Sequence, residues 1–450
     1  YRRTADHSET HLMVSTAVPT RVLLAYGLPG LPLAVVGLPL FIYLPTFYAE
    51  TIGIDLATVG LILLLVRLCD VMTDPLVGVL SDRTRGRFGR RRPWILASLP
   101  VLCLSIYFLF VPPESAGVTH LLIWSLLLYL GWTMIQLPYA AWGAELSSDY
   151  HDRSRVTGVR EVFVIIGTLI AASVPLLIGG EDQPDSALGQ VLSVLAVGLV
   201  VALPAASLIA CLNVADPAMG PREPLHLQAK VMTKWTVGIQ TLASNRAFRR
   251  LITAYLLNGI ANGLPATLFL LYVRHVLAMP HRAGSLLFVY FLCAIAGVPF
   301  WIWTSGRLNK QRAWIIAMAA TCLVFAWAPF LGPADYYPFL AICILSGFCL
   351  GADLALPPSM QADVVDLDAA VTGAQRTGLY FALWGMATKL ALALAVGVSF
   401  PLLALAGFSA DSAIVNEASG VLVLALLYGG LPIAFKLAAM ALMAGFPIHR

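Results

Sequence analysis

The stretch VRLCDVMTDP, Val66 to Pro75, sets one arginine and two aspartates inside an apolar run. A helix turns about 100° per residue, so Arg67, Asp70 and Asp74, spaced i, i+3 and i+7, share one face. One guanidinium cannot neutralise two carboxylates, so the stripe carries surplus negative charge. Hard carboxylate oxygens of this kind suit a small cation: Na+, H+ or Li+. Each ionisable group at mid-bilayer costs roughly 2.5–3.5 kcal/mol on insertion scales, so three together cannot face lipid. The plain alternative is a buried ion pair between Arg67 and Asp70. Pro75 lacks an N–H and frees a backbone carbonyl one turn earlier as a further oxygen. A lone lysine, Lys389, stands deep in another apolar run. It calls for a facing carboxylate, which Asp70 and Asp74 supply. Lys436, toward the end of the last run, reads instead as a side chain that reaches back to the membrane surface.

The elements that must position these groups are membrane helices. Of 450 residues, 59% are hydrophobic and only 12% charged, and the mean hydropathy is +0.83. Soluble domains carry about 25% charged residues. The apolar runs reach the roughly 20 residues needed to cross a hydrocarbon core of about 30 Å, and they are continuous, unlike the alternation of a barrel. Twelve runs begin near Val22, Asp55, Trp94, Thr119, Val156, Ala187, Arg250, Ala283, Gln311, Tyr336, Ala374 and Ala418. The first is too long for a signal-peptide core and is read as a retained helix. The long polar segment 216–249 joins two six-helix halves, 1–215 and 250–450. SDRTRGRFGRRRP, DYHDRSR, this linker and GRLNKQR hold most loop arginines and lysines. The opposite loops hold Glu50, Asp55, Glu114, Glu181, Asp182, Asp185, Asp335, Asp411 and Glu417. Positive charge marks the cytoplasmic side, so both termini are expected there.

Several function classes fall away. The arginine-rich loop is too short to be a nucleic-acid-binding domain, and positive-inside bias already explains it. Seven cysteines, all in apolar segments and without a CxxC, read as packing residues. No HExxH or Gly-x-Ser-Gly occurs. Gly351-Ala352-Asp353 lacks the middle glycine of the Gly-x-Gly-Asp of membrane aspartyl proteases. An enzyme is not expected, nor a cofactor beyond a coupling ion.

Two six-helix halves about a central cytoplasmic loop are the pattern of the major facilitator fold, whose halves rock around a midplane site. GVLSDRTRGRFGRRRP resembles that superfamily's Gly-x-x-x-Asp-Arg…Gly-Arg-Arg loop, which implies a gating role for Asp82, Arg83, Gly89, Arg90 and Arg91. The second half keeps only Gly306-Arg307 of it. VRLCDVMTDPLVG in turn resembles the second helix of the glycoside–pentoside–hexuronide:cation symporters, the melibiose permease family. The match extends along nearly the whole chain, to Thr133 in WTMIQLPY, Arg160 in TGVREVFVIIG, the acidic QADVVDLD, and Lys389 in TGLYFALWGMATKLALALAVG. The resemblance implies a cation site of Asp70, Asp74, Thr73 and Thr133, with Arg67 and Lys389 as its charge network.

The sequence departs from the sugar carriers where they hold sugar. Gln136 stands at the helix-four carboxylate, and Leu33 and Ala34 at a helix-one Lys-Asp pair. Thr73 replaces an asparagine, as in the sodium-dependent lysophosphatidylcholine transporters of the same clan. Candidate substrate residues are Gln136, Arg160 (for an anionic group), Asp353, Tyr26, Asn258, Asn262, Tyr380 and Trp384. The expectation is an all-α, multi-pass, monomeric protein of a bacterial-type inner (plasma) membrane. It would be a symporter driven by Na+ or H+. Its substrate would be a glycoside by family habit, or an amphipathic lysolipid by the missing charges. An uncoupled facilitator or flippase of amphipathic lipids is the alternative class.

Overall fold

The computed structural model describes residues 18–84, 88–146, 150–178, 184–215, 245–372, 377–410 and 416–446. Among them are twelve helices long and apolar enough to cross a membrane, and no strand. They are α1 (Thr20–Glu50), α2 (Leu56–Arg83), α3 (Arg92–Phe110), α4 (Val118–Glu145), α5 (Tyr150–Ile178) and α6 (Pro184–Asn213). Then follow α7 (Arg246–His275), α8 (Ala283–Leu308), α9 (Lys310–Phe325), α10 (Tyr336–Thr372), α11 (Thr377–Leu405) and α12 (Ala418–Ala444). Each begins within a few residues of the run read from the sequence. The largest offset is α5, whose first turn is polar and so invisible to hydropathy. Most of the linker, 216–244, lies outside the described residues.

Local chemistry explains the helix ends and breaks. The side chains of Asp55, Asn245 and Asn309 accept the backbone N–H of Thr58, Phe248 and Arg312 at 3.0, 3.1 and 2.9 Å, capping α2, α7 and α9. Asn309 does so from a positive φ of 75° that ends α8 and starts α9 at once. Both α1 and α12 are interrupted by a π turn, Pro39–Tyr43 and Leu426–Gly430. Such a turn shifts the phase of every side chain beyond it.

Lipid tails are as apolar as leucine, so these helices associate through close packing rather than through a hydrophobic drive. The α8–α10 seam shows this. Gly297 of α8 lies on the Phe348 carbonyl, Gly347 of α10 on the Tyr290 carbonyl, and Gly351 against Ala294 and Gly297, leaving no room for a Cβ.

Contacts between the first six helices and the last six are close at the acidic end. Gly60 of α2 packs on Phe400 and Pro401 of α11, and Gly397 on Leu64. Gly284 of α8 packs on Pro175 and Leu176 of α5. Glu50, at the end of α1, pairs with Arg274 of α7 at 2.8 Å, and His275 Nε2 lies 3.7 Å from its other oxygen. Farther along the same helices, toward the arginine-rich end, a Cβ added at Gly78, Gly158, Gly306 or Gly385 would meet no atom within 4 Å.

The packing yields a direct test. Gly297→Leu forces a side chain into the Phe348 carbonyl and is expected to destabilise by about 1–3 kcal/mol. Gly306→Leu, in open space, is expected to leave the melting temperature of the purified protein unchanged.

Candidate functional site

The α2 stripe meets α4 and α11 at mid-depth. Asp70 is buried, its side chain 1% exposed, and Asp74 lies one turn on at 17%. Thr133 Oγ1 of α4 stands 2.7 Å from Asp70 Oδ1 and 2.9 Å from Asp74 Oδ1. A threonine hydroxyl has one proton to donate. One of those two contacts is therefore oxygen against oxygen with no hydrogen between them, unless a proton or a cation enters. Lys389 reaches across from α11. Its Nζ lies 2.7 Å from both oxygens of Asp74 and 2.9 Å from Asp70 Oδ2. Asp70 Oδ2 is buried and gains no aligned hydrogen bond from that ammonium. Two carboxylates and one ammonium leave the cluster one negative charge in excess.

Arg67 does not supply that charge through an ion pair with Asp70. Its guanidinium is sandwiched between Phe41 and Tyr129, 4.4 and 4.3 Å from the ring centroids. Phe41 comes from the π turn of α1, and Tyr129 sits one turn before Thr133. The cation is held by ring faces, which leaves the carboxylates to Lys389. Thr73 also departs from expectation. Its hydroxyl donates back to the Asp70 carbonyl at 2.9 Å and makes no hydrogen bond with either carboxylate.

The substrate candidates divide. Gln136, one turn beyond Thr133, is half-buried and makes no hydrogen bond among the described residues. Trp384 stacks on Tyr255 of α7, centroids 3.8 Å apart and planes 22° apart. Tyr255 Oη lies 3.0 Å from Thr388 Oγ1, next to Lys389. Sequence reading missed Tyr255, although it shares a helix face with Asn258 and Asn262 at i+3 and i+7. Arg160 is engaged by its own neighbour Glu161 at 2.6 Å, with 27% of its side chain exposed.

Tyr26 and Tyr380 do not line open space. Tyr26 donates to the Tyr139 carbonyl at 3.1 Å, and Tyr139 donates to the Tyr26 carbonyl at 2.7 Å. Tyr380 is fully buried and accepts from Asn245 at 3.0 Å. Asn258, Asn262 and Asp353 come together, but with Lys436 as their centre. Lys436 is 2% exposed and does not reach the surface. The π turn Leu426–Gly430 rephases α12 ahead of it and turns it inward.

In the loop between α2 and α3, Arg90 and Arg91 both grip Glu145 at the end of α4, Arg91 at 2.7 Å, and Arg91 also donates to Ser81 at 3.2 Å. Gly89 holds the turn with φ 90°. The side chains of Asp82 and Arg83 lie outside the described residues.

A family model described as MFS/sugar transport protein matches residues 25–450. The chain belongs to that major facilitator family. An uncharacterised symporter of Synechocystis sp. is 25% identical, covering 95% of this chain and 94% of its own. A sodium-dependent lysophosphatidylcholine symporter of Xenopus tropicalis is 24% identical over 95% of this chain and 87% of its own. The crystal structure of the nucleoside transporter NupG aligns with a TM-score of 0.67 at 14% identity, covering 96% of this chain and 100% of its own. That likeness concerns the fold. The chain is thus a multi-pass membrane transporter and not an enzyme, as its sequence leads one to expect.

Removing the bridging ammonium tests the electrostatics. Lys389→Met leaves two adjacent carboxylates without their cation and is expected to destabilise by about 3–5 kcal/mol. Adding Asp74→Asn is expected to restore most of the melting temperature. Equal melting of Lys389→Met and the parent would refute the charge count.

Proposed function

We propose that this transporter is a symporter, coupling the movement of one small cation, Na+ or H+, to that of an organic solute. The supporting observation is the crowded triangle of Asp70 Oδ1, Asp74 Oδ1 and Thr133 Oγ1. Thr133 has one proton for its two carboxylate neighbours, and Lys389, from another helix set, donates to Asp74 Oδ1. A cation entering the triangle relieves oxygen–oxygen contact and excess charge together. It also binds α2, α4 and α11 more tightly, so its occupancy differs between conformations. That differential affinity is what coupling requires.

The halves 1–215 and 250–450 act as the moving bodies in this reading, with both termini and the linker 216–249 cytoplasmic. The tight α2–α11 and α5–α8 crossings and the Glu50–Arg274 pair seal the acidic, outer end. The solute then meets the site from the arginine-rich side in this conformation.

For the solute, a glycoside is the family's habit. A lysolipid-like amphiphile is favoured by the sequence. Leu33 and Ala34 are apolar where sugar carriers hold a charge pair, and Gln136 is uncharged. The similarity to lysophosphatidylcholine symporters points the same way. On this second reading Arg160 approaches the anionic group once it parts from Glu161.

Asp74→Asn is expected to abolish the cation dependence of uptake while the protein stays folded. Thr133→Ala, which removes one neutral oxygen, is expected to weaken cation affinity about tenfold, or about 1.4 kcal/mol. Thermal-shift titration with Na+, Li+ and pH reads both. Counterflow with glycosides and with lysolipids, with and without a cation gradient, then separates the substrate classes and the uncoupled alternative. Unaltered cation dependence in Asp74→Asn would sink the coupling site.

A further inference from the structure

A cavity of about 80 Å³ lies where the first six helices meet the last six at the acidic end. Its walls come from α1, α5 and α6 on one side and from α7 and α8 on the other. Tyr43, Thr46 and Glu50 of α1 line it together with Arg274 of α7. Spaced i, i+3 and i+7, the three α1 residues form a polar stripe on one helix face. Tyr43 is 1% exposed, Thr46 0%, and the Glu50 side chain 4%. Tyr43 Oη, Thr46 Oγ1 and Glu50 Oε1 have no hydrogen-bond partner among the described residues. Arg274 takes the other oxygen of Glu50 at 2.8 Å, and His275 Nε2, at 3.7 Å, is too far from Oε1 for a hydrogen bond. Buried polar groups are almost always paired, so three orphans around one cavity point to an occupant.

The stripe faces an apolar wall that includes Leu188, Val191, Leu270 and Leu287. His281, exposed on the connection from α7 to α8, also borders the cavity and gives it a route to solution. At about 10–15 Å³ for one water, the space takes about five water-sized groups. Water pairs the three oxygens but gains nothing from the leucines, where an apolar group displaces it favourably. Arg274 already matches the charge of Glu50, so an ion of either sign leaves the buried pocket charged. Glu50 Oε1 only accepts, whereas the two hydroxyls both donate and accept. The occupant that fits is neutral, carries adjacent hydroxyls, and has a short apolar end.

We propose that this cavity is a binding site for a small neutral diol, separate from the α2 stripe, and that its occupant holds the acidic end closed. One hydroxyl of the diol donates to Glu50 Oε1 and accepts from Thr46 Oγ1, one helical turn away. The other pairs with Tyr43 Oη. The carbon end rests on the leucine wall. Because the lining belongs to both sets of helices, parting them at this end dismantles the site. A ligand that binds one conformation better shifts the population toward it. The diol is therefore an inhibitor of exchange rather than a transported solute. This last step rests on the halves as moving bodies, whereas binding does not.

Thermal-shift titration of the purified protein with 1,2-propanediol tests the site without transport. The parent is expected to show a saturable rise in melting temperature. Thr46→Val and Tyr43→Phe each remove one hydroxyl with little change of shape. Each is expected to weaken the apparent affinity about tenfold, and the double variant to lose the saturable rise. 1-Amino-2-propanol, equal in size but cationic, is expected to bind about tenfold more weakly or worse. No saturable rise in the parent leaves water as the occupant and overturns the site. A rise kept in full by the double variant does the same. Equal binding of the amino alcohol overturns the assignment to a neutral ligand. In proteoliposomes the diol is expected to slow counterflow by the parent. Binding without slowing overturns the closing role and leaves the cation dependence read from Asp74→Asn untouched, so the two readings fail separately.

Discussion

Two carboxylates set against one threonine hydroxyl are the constraint on which the rest of the molecule turns. Thr133 has a single proton for its contacts with Asp70 and Asp74 and cannot satisfy both. The surrounding helices can hold them there only because Lys389 enters from α11 and touches both acids. The arrangement joins a helix pair of the first six to one of the last six at the depth where unpaired charge is most costly. Stability and mobility therefore share one set of atoms. What balances the charge also decides how firmly α2 and α11 are held.

Arg67 shows how the site keeps its excess charge. Had it closed on Asp70, the cluster would be formally neutral. The π turn of α1 instead offers Phe41, and α4 offers Tyr129, so that the guanidinium is stabilised by ring faces. Ring quadrupoles stabilise a cation without contributing formal negative charge. The irregularity in α1 is thus linked to the electrostatics of α2.

The sequence was most legible where periodicity and composition act alone. Twelve apolar runs, the shared face of Arg67, Asp70 and Asp74, and the isolation of Lys389 need only a helix and a hydropathy scale. Thr133 was recognised by resemblance, and the structure sets it against both aspartates. Pairings across long stretches of chain were not legible. Nothing local ties Lys436 to Asp353, or Glu50 to Arg274. A position near the end of an apolar run looks superficial unless the π turn before it is known. Tyr26 and Tyr380 misled for a related reason. A tyrosine in a membrane helix advertises a polar tip, but a backbone carbonyl or an asparagine on another helix can absorb it, and only packing reveals which. Arg160 was read without Glu161, its immediate neighbour in the chain.

The glycine seam between α8 and α10 has a mechanical corollary. With backbone laid on backbone at Gly297, Gly347 and Gly351, there is no compliant layer of side chains to absorb shear. The two helices are therefore expected to tilt as one unit, with the Gly284 contact on Pro175 as their bearing on α5 and Asp353 carried along.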